Sequence, residues 1–384
     1  MFEELLAGFA AGFTGLFAFL HVNFLLQVFQ PFFPAGFSKA VFASALTFSK
    51  TVFETIPTVF FIVPSASFGA ALLPSQKLFL EGKGFFALKI LIHSMFFAMV
   101  FSILSLPLVF LSLPFAFSLV KPVAGFALAL IVLLSLASKE RLFETVLVFS
   151  ASGLVGLVVL TKPLVAEPLF PLLSGLFGIP ALFFAFNASL PKAQAEAGAV
   201  KIGLKTVFAG VLLGAFSGVL PALTPAFLIS MLFLVFDSTE KEKTFLEASA
   251  AVVVSKNFFD FASFFLIGKA RSGAVAFASE ELSVFPNLLA ALIAASIALF
   301  AALAVVSVFS RLLSGIRPGK LFFVSIAAFV SIASFVLGGG AGLAVLATAS
   351  ALGLACGIIG VNKSSLMGCL IIPSLCFFFG IALF

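Results

Sequence analysis

The sequence predicts an all-α polytopic membrane protein of roughly ten to twelve transmembrane helices, arranged in two internal repeats with broken or re-entrant helices. Of its 384 residues, 62% are hydrophobic and only 9% are charged, whereas about a quarter of a soluble domain is charged. This composition excludes a soluble enzyme, a secreted disulfide scaffold and a disordered linker protein. The formal charge of +6 is spread thinly over the chain, so no nucleic-acid-binding patch is expected.

Segments without Asp, Glu, Lys or Arg mark the predicted helices, because a transmembrane helix needs about 20 mostly apolar residues. Three consecutive glycines interrupt the longest segment, 321–362, which has room for two helices. Two more segments, near 40–63 and 245–268, each contain a lysine and an acid. The other predicted spans are 5–38, 90–120, 122–138, 145–161, 168–191, 206–236, 282–310 and 364–384. Such unbroken apolar runs differ from the alternating pattern of a transmembrane β-barrel.

Little in the sequence indicates catalysis or metal binding. It lacks a Walker-type phosphate loop and the HExxH, CxxC and Gly-x-Ser-x-Gly motifs, so no catalytic residue or metal ligand is predicted. The cysteines Cys356, Cys369 and Cys376 have no His or acidic neighbours in the sequence and are interpreted as packing residues. The chain has 56 Phe but no Tyr or Trp, and therefore lacks the usual interfacial aromatic anchors.

The two halves of the chain share short sequence matches in the same order. The matched segments are 13–20 with 216–223, 49–54 with 255–260, and 67–70 with 271–274, at offsets of 203 to 206 residues. Ordered matches at nearly one offset predict a duplication. The predicted organisation is a first repeat at 1–191, a polar linker at 192–205 and a second repeat at 206–384. Whether the repeats are inverted or parallel is left open.

Each half carries a lysine and a carboxylate four residues apart inside a predicted span. Residues with this spacing lie on one face of a helix. Each pair can simply neutralise itself near a helix end, with the lysine reaching the headgroups. Recurrence in both halves favours a second interpretation, coupling of transport to an ion. The candidate ion-coupling residues are Lys50, Glu54, Lys256, Asn257 and Asp260.

A second polar group lies in the first span of each half, where glycine and proline interrupt the helical pattern. Unpaired backbone groups at membrane depth are tolerated where they line a cavity, and a helix end offers N–H groups to an anion. Close packing of small residues is the alternative interpretation. The candidate substrate-binding residues are Thr14, Gly15, His21, Asn23, Ser217, Gly218, Pro221, Thr224 and Pro225. The matching loops add Ser67, Gly69, Arg271, Ser272 and Gly273.

Several motifs resemble those of archaeal relatives of the tripartite tricarboxylate transporter large permease subunit. Residues 15–23 (Gly-Leu-Phe-Ala-Phe-Leu-His-Val-Asn) are similar to the family's Gly-Leu-Ile-Pro-Gly-Leu-His-Val-Asn. Residues 78–84 (Leu-Phe-Leu-Glu-Gly-Lys-Gly) are similar to its Leu-Leu-Leu-Glu-Gly-Lys-Gly. Further similarities lie at 53–64, 217–221 and 266–274. The resemblance therefore runs, in the right order, from about residue 8 to 280.

The chain departs from the family pattern at four positions. Ala18 and Phe19 stand where the first motif carries Pro and Gly, and Phe24 stands where Thr is usual. Ala222 replaces a Gly in the second half. These changes remove helix breakers and would fill a cavity with aromatic bulk. A membrane scaffold that keeps the transporter fold without its activity is therefore an alternative.

The resemblance implies a secondary transporter of organic anions, di- or tricarboxylates, that works by alternating access and is driven by a Na⁺ or H⁺ gradient. It implies no other cofactor. The implied partners are the lipid bilayer and a small organic anion. Classical members also use a small membrane subunit and an extracytoplasmic binding protein, whereas the archaeal relatives look like stand-alone permeases. An intramembrane enzyme is disfavoured, because the polar groups are spread over both halves rather than concentrated.

Overall fold

The computed structural model describes residues 1–17, 20–60, 67–68, 72–137, 139–162, 165, 168–186, 199–218, 225, 228–229, 241–279, 281, 284–313 and 320–381. Within these ranges the chain is helical and contains no strand. Five described helical runs are long and apolar enough to cross a membrane, namely Gly84–Ala137, Leu142–Thr161, Glu242–Ile267, Phe285–Val305 and Val324–Ile359. The predicted fold class, an all-helical polytopic membrane protein, is confirmed.

The described helices are numbered in chain order. They are α1 Phe2–Gly12, α2 Val22–Phe29, α3 Lys39–Phe53, α4 Thr55–Phe60, α5 Leu72–Leu80, α6 Gly84–Val120, α7 Ala124–Ala137, α8 Leu142–Thr161, α9 Leu169–Leu173, α10 Ile179–Phe186, α11 Leu204–Phe216, α12 Lys241–Ile267, α13 Gly273–Ala278, α14 Val284–Leu313, α15 Lys320–Ile359 and α16 Gly368–Phe378. Short 3₁₀ turns occupy Phe13–Leu16, Gln30–Phe32, Lys121–Val123 and Lys363–Met367, and a π-helical turn occupies Ser174–Gly178.

The helices pack into two bundles, each drawn from both halves of the chain. The first comprises α1–α6 and α11–α14 and is called the polar bundle, because it contains both predicted ion pairs. The second comprises α7–α10, α15 and α16 and is called the apolar bundle. Val252 on α12 joins the core of the apolar bundle, so the two cores meet along that helix. The chain thus visits the polar bundle, the apolar bundle, and then each of them again.

Several predicted spans are divided differently from the expectation. The segment predicted at 5–38 is α1, a 3₁₀ turn, α2 and a second 3₁₀ turn, because non-helical backbone at Phe17 and His21 separates the pieces. The segments predicted at 90–120 and 122–138 form one run, joined by the 3₁₀ turn at Lys121–Val123. The described structure therefore has fewer full-length spans and more broken helices than a count of apolar segments indicates.

The glycines at 338–340 divide α15 as predicted. Gly339 has φ 57° and ψ −146°. This backbone conformation breaks the helix, and residues other than glycine rarely adopt it. The backbone on either side is helical from Lys320 to Ile359. The single apolar segment at 321–362 is consequently two helices joined at a kink.

Polar side chains cap the helices that position the site. Ser38 Oγ accepts a hydrogen bond from Val41 N at the start of α3, at 3.4 Å. His21 Nδ1 accepts one from Asn23 N at the start of α2, at 3.2 Å. Each cap satisfies one of the backbone N–H groups that a helix start leaves unpaired. They fix where the helices begin inside otherwise uniformly apolar sequence.

Candidate functional site

The first ion pair lies at the end of α3, where Glu54 separates α3 from α4, and it is sealed inside the polar bundle. Lys50 Nζ forms a salt bridge with Glu54 Oε1, and the two side chains are only 2% and 4% exposed. The helical hydrogen bonds continue past the pair, since Glu54 N donates to Lys50 O at 2.9 Å. Glu54 Oε2 is buried and has no hydrogen-bond partner in the described part of the chain. The pair is therefore neutral as a whole, with one acceptor oxygen unused.

The second ion pair lies at the matching position of α12 and is more open. Lys256 Nζ donates to Asp260 Oδ2 at 2.6 Å. The Asp260 side chain is fully buried, whereas that of Lys256 is 14% exposed. Asp260 Oδ1, like Glu54 Oε2, is buried without a hydrogen-bond partner among the described residues. The charge of Asp260 also acts on Arg271, so the second pair has a further cation nearby.

A direct hydrogen bond joins the helices that carry the two pairs. Asn257 Nδ2 donates to Thr51 Oγ1 at 3.0 Å across 206 residues of sequence. Thr51 in turn donates to Thr47 O at 2.7 Å, so its hydroxyl makes two hydrogen bonds. Each of these residues directly follows the lysine of its own pair. The helix crossing thus lies immediately beside both ion pairs.

The helix that precedes each pair approaches it closely through glycine. A Cβ on Gly12 of α1 would lie 1.9 Å from Ser49 Oγ, and one on Gly214 of α11 would lie 2.0 Å from Ser255 Oγ. The two serines make the same hydrogen bond. Each hydroxyl donates to the backbone carbonyl four residues earlier, at 2.6 Å. Only glycine allows this approach, and the same device occurs in both halves.

The predicted substrate segment of the first half lies against the first ion pair. A Cβ on Gly15 would lie 2.4 Å from Lys50 O and 3.0 Å from Glu54 N. Thr14 Oγ1 donates to Ala11 O at 2.6 Å and closes the end of α1. The charge of Lys50 acts on the imidazole of His21. The residues on either side of the break between α1 and α2 therefore lie beside the buried lysine.

Asn23 reaches the other half of the chain. A Cβ on Gly273 would lie 2.1 Å from Asn23 Oδ1, so the amide packs where the loop at 268–272 meets the first residue of α13. In that loop Ser272 Oγ accepts from Val275 N at 3.4 Å and caps the short helix. Arg271 Nε donates to Gly218 O at 3.0 Å. Predicted residues of both halves thus meet around this loop.

The second-half segment is described only in part. Ser217 Oγ donates to Gly214 O at 2.6 Å and closes the end of α11, as Thr14 does for α1. Pro225 is half-buried, and nothing in the described structure links it to the ion pairs. Ser67 is also half-buried. The remaining candidates, Gly69, Pro221 and Thr224, lie outside the described residues.

Two contacts of this region were not predicted from the sequence. Thr51 is the partner of Asn257, and its place opposite Asn257 in the match of 49–54 with 255–260 was a usable signal. Phe24 stacks on Phe170 of α9, with ring centroids 4.9 Å apart and an interplanar angle of 28°. No sequence pattern connects these two rings. They join the polar bundle to the apolar bundle.

Comparisons with known proteins place the chain in a family. The family model for the tripartite tricarboxylate transporter TctA family matches residues 5–368. The chain is also 25% identical, over 95% of its own length and 95% of the relative's, to an uncharacterised protein of Methanocaldococcus jannaschii. A comparison with solved structures finds no match. The chain is therefore a multi-pass integral membrane protein that belongs to the TctA family of tripartite tricarboxylate transporters.

Proposed function

We propose that the protein is a secondary permease for di- or tricarboxylates that works by alternating access and is coupled to a cation gradient. Family membership points to transport rather than to an enzymatic reaction. The observation that supports coupling is the presence of a buried lysine–carboxylate pair on each of two helices that hydrogen-bond to each other. Charges buried in this way are costly to keep and are typical of transport pathways.

The proposed binding region lies where the broken first span meets the second half. Gly15 and His21 lie beside Lys50, and Asn23 packs on Gly273 of the second half. Cationic groups from both halves, Lys50 and Arg271, lie beside these segments. A substrate with several carboxylates suits such a region, because its anionic groups meet cations from two directions. Glu54 and Asp260 are the proposed coupling carboxylates.

The organisation proposed for the chain is a duplication with a join near 192–205. Matching contacts at Ser49 and Ser255, and the hydrogen bond between Thr51 and Asn257, support it. Transporters with internal repeats bind substrate where the repeats meet. A small membrane subunit and an extracytoplasmic binding protein are proposed partners, since the family name describes a tripartite system.

One observation favours the alternative of a scaffold without transport activity. The Phe24 ring packs on Phe170 beside the proposed binding region. Aromatic packing of this kind fills space that a polar ligand would need. The two functions differ in one measurable property, which is the binding of carboxylates to the purified protein.

The proposed function is tested by unfolding the purified protein in detergent with and without citrate, succinate and other small carboxylates. A ligand that binds only the folded state adds about 2.7 kcal/mol at 100 times its Kd, so the unfolding midpoint should rise. Exchange of labelled for unlabelled carboxylate across proteoliposomes is the matching transport assay. Stabilisation and exchange that are both lost in an Asp260→Asn variant that still folds in detergent would support the proposal. Absence of both in the wild-type protein would favour the scaffold.

A further inference from the structure

The charge balance around Lys50 limits which ion can be transported together with the substrate. The salt bridge with Glu54 leaves this buried position neutral. Removing or neutralising either partner would leave one charge buried, which costs several kcal/mol in a protein interior. Any event that changes the charge of one member must therefore be balanced by a second event at the same place.

In the part of the chain that the structure describes, the surroundings of Glu54 do not offer a site for a metal cation. The position in front of its Oε1 atom is occupied by the Lys50 ammonium. Glu54 separates α3 from α4, but its backbone keeps right-handed helical angles (φ −60°, ψ −22°) and Thr58 N donates to Glu54 O at 3.3 Å, whereas transporters hold Na⁺ with carbonyls of unwound backbone. The unused acceptor, Oε2, is a single buried oxygen. One oxygen can accept a proton, but it does not make a coordination shell.

Few other ionisable groups face this pair from the elements packed on α3. His21 lies before α2 and interacts with Lys50 electrostatically. Helices α2, α4 and α13 contain no charged residue, and none lies among the described side chains of α14. On α1 the acids are Glu3 and Glu4, at its start, more than two turns before Gly12. On α12 the charges of Lys256 and Asp260 pair with each other. The other charged residues of α12 lie at its start, more than two turns before Lys256, namely Lys241, Glu242, Lys243 and Glu247.

We propose that the coupling ion at this site is a proton, which Glu54 accepts as a substrate carboxylate replaces it on Lys50. In the empty protein Glu54 neutralises Lys50. In the loaded protein a proton taken from the aqueous side resides on Glu54 Oε2, and the substrate carboxylate pairs with the ammonium. The Lys50 ammonium is paired with one carboxylate in both states, so the charge at Lys50 itself is balanced in both. The further carboxylate of a dicarboxylate meets Arg271, which the second half places beside this region. The proposal rests on the proposed function and adds the identity of the ion and its carrier.

Proton and substrate transport are coupled because binding either one alone leaves an unbalanced buried charge. A proton without substrate leaves the Lys50 ammonium without a carboxylate, and a substrate carboxylate without a proton leaves two carboxylates on one ammonium. Burying either unbalanced charge is costly. The protein therefore occludes the site only when it is empty or when both proton and substrate are bound. On the other side of the membrane the carboxylate leaves, Glu54 releases its proton, and the Lys50–Glu54 salt bridge re-forms.

The first experiment uses wild-type protein in proteoliposomes clamped at zero membrane potential, with citrate and succinate as probes. A pH gradient of one unit, acid on the substrate side and without sodium, should drive accumulation of up to about tenfold, because one unit corresponds to 1.36 kcal/mol. A sodium gradient at equal pH should drive none. Accumulation driven by sodium alone would overturn the proton proposal and leave the proposed function standing. Absence of exchange under every condition would overturn the proposed function itself.

The second experiment separates exchange from net transport in Glu54→Gln. The glutamine mimics the protonated carboxyl, so substrate still binds Lys50 and exchange should continue. The empty site would carry an unbalanced charge, so pH-driven net uptake should fall at least about tenfold. A merely structural role would lower both activities together, and unchanged net uptake would also contradict the proposal.

The matched control is Glu81→Gln, the same chemical change at an exposed carboxylate that pairs with Lys83 at 2.9 Å. Both exchange and net uptake should persist in this variant. If Glu54→Gln does not fold, the wild-type gradient experiment decides the question alone, since it requires no substitution. The double variant Lys50→Met with Glu54→Gln keeps the site neutral, and it should fold while losing exchange.

Discussion

Asn257 donates a hydrogen bond to Thr51 across 206 residues, and the same offset separates Lys50 from Lys256 and Glu54 from Asp260. Two helices of matching sequence therefore touch at matching residues. If a two-fold rotation relates the halves, such a contact lies on its axis. The two ion pairs then flank that axis at the place where a symmetric transporter would hold its cargo.

The contact between Thr51 and Asn257 should contribute a modest coupling energy. Thr51→Val and Asn257→Leu, singly and together, form a double-mutant cycle. A neutral hydrogen bond contributes about 0.5–1.5 kcal/mol, and the cycle should recover a coupling in that range. The measurement is the free energy of unfolding in detergent. Strictly additive single effects would show that the two side chains do not interact in the membrane protein.

Adding one carbon atom at the glycine contacts should be destabilising in both halves. In Gly12→Ala and Gly214→Ala the new Cβ would overlap Ser49 or Ser255, and overpacking costs about 1–3 kcal/mol. Gly340→Ala is the matched control, because no atom lies within 4 Å of the position that its Cβ would occupy and its φ is not positive. The control should be neutral, or stabilising by up to about 1 kcal/mol. Equal effects at all three glycines would contradict the close approach.

Removing one charge of the second ion pair should destabilise the fold more than removing both charges. Asp260→Asn leaves Lys256 without its carboxylate, and loss of one partner of a buried pair costs about 3–5 kcal/mol. Lys256→Met combined with Asp260→Leu removes both charges and should be close to wild type in stability. Thermal unfolding of the two variants side by side is the test. A double variant as unstable as Asp260→Asn would mean that the pair itself stabilises the fold.

The lysine between α7 and α8 should make stability depend on pH in the alkaline range. Lys139 lies in a pocket lined by Phe149, Ser364 and Ile371, and burial lowers the pKa of its ammonium. The unfolded chain then binds more protons than the folded one, so stability rises with pH until the lysine is neutral in both states, above about 10.4.

Lys139→Met should therefore raise the unfolding midpoint at neutral pH, and its advantage should shrink as pH approaches about 10.4. Lys269→Met removes an exposed lysine and should change stability by less than about 0.5 kcal/mol at any pH. A lower midpoint for Lys139→Met at neutral pH would indicate that the favourable interaction of Lys139 with the end of α7 outweighs its burial.

Much of the architecture could be predicted because apolar composition and charge spacing act locally. The all-helical membrane class, the kink at Gly339 and the Lys50–Glu54 and Lys256–Asp260 pairs follow from run length, from glycine and from the four-residue helical spacing. The boundaries of the short helices do not follow. Phenylalanine and alanine continue through the break at Phe17, so composition alone does not show that the chain bends there, whereas Pro31 marks the break at Gln30.

The assembly of the site was less accessible to sequence reasoning. The proximity of Asn23 to Gly273 and of Arg271 to Gly218 depends on how distant helices pack, and neither half contains that information by itself. The division into two bundles is also hidden, because the apolar helices of both bundles have the same composition. Only the matched segments at 49–54 and 255–260 indicated that two distant helices belong together.

The stack of Phe24 on Phe170 has a consequence for motion and for its observation. Two flat rings can slide over each other without breaking a hydrogen bond, so the bundles can shear at this point while staying in contact. The chain contains no Trp and no Tyr, so Phe24→Trp would install its sole indole at that sliding surface. The fluorescence of that one ring would then report, without any added dye, how the two bundles move.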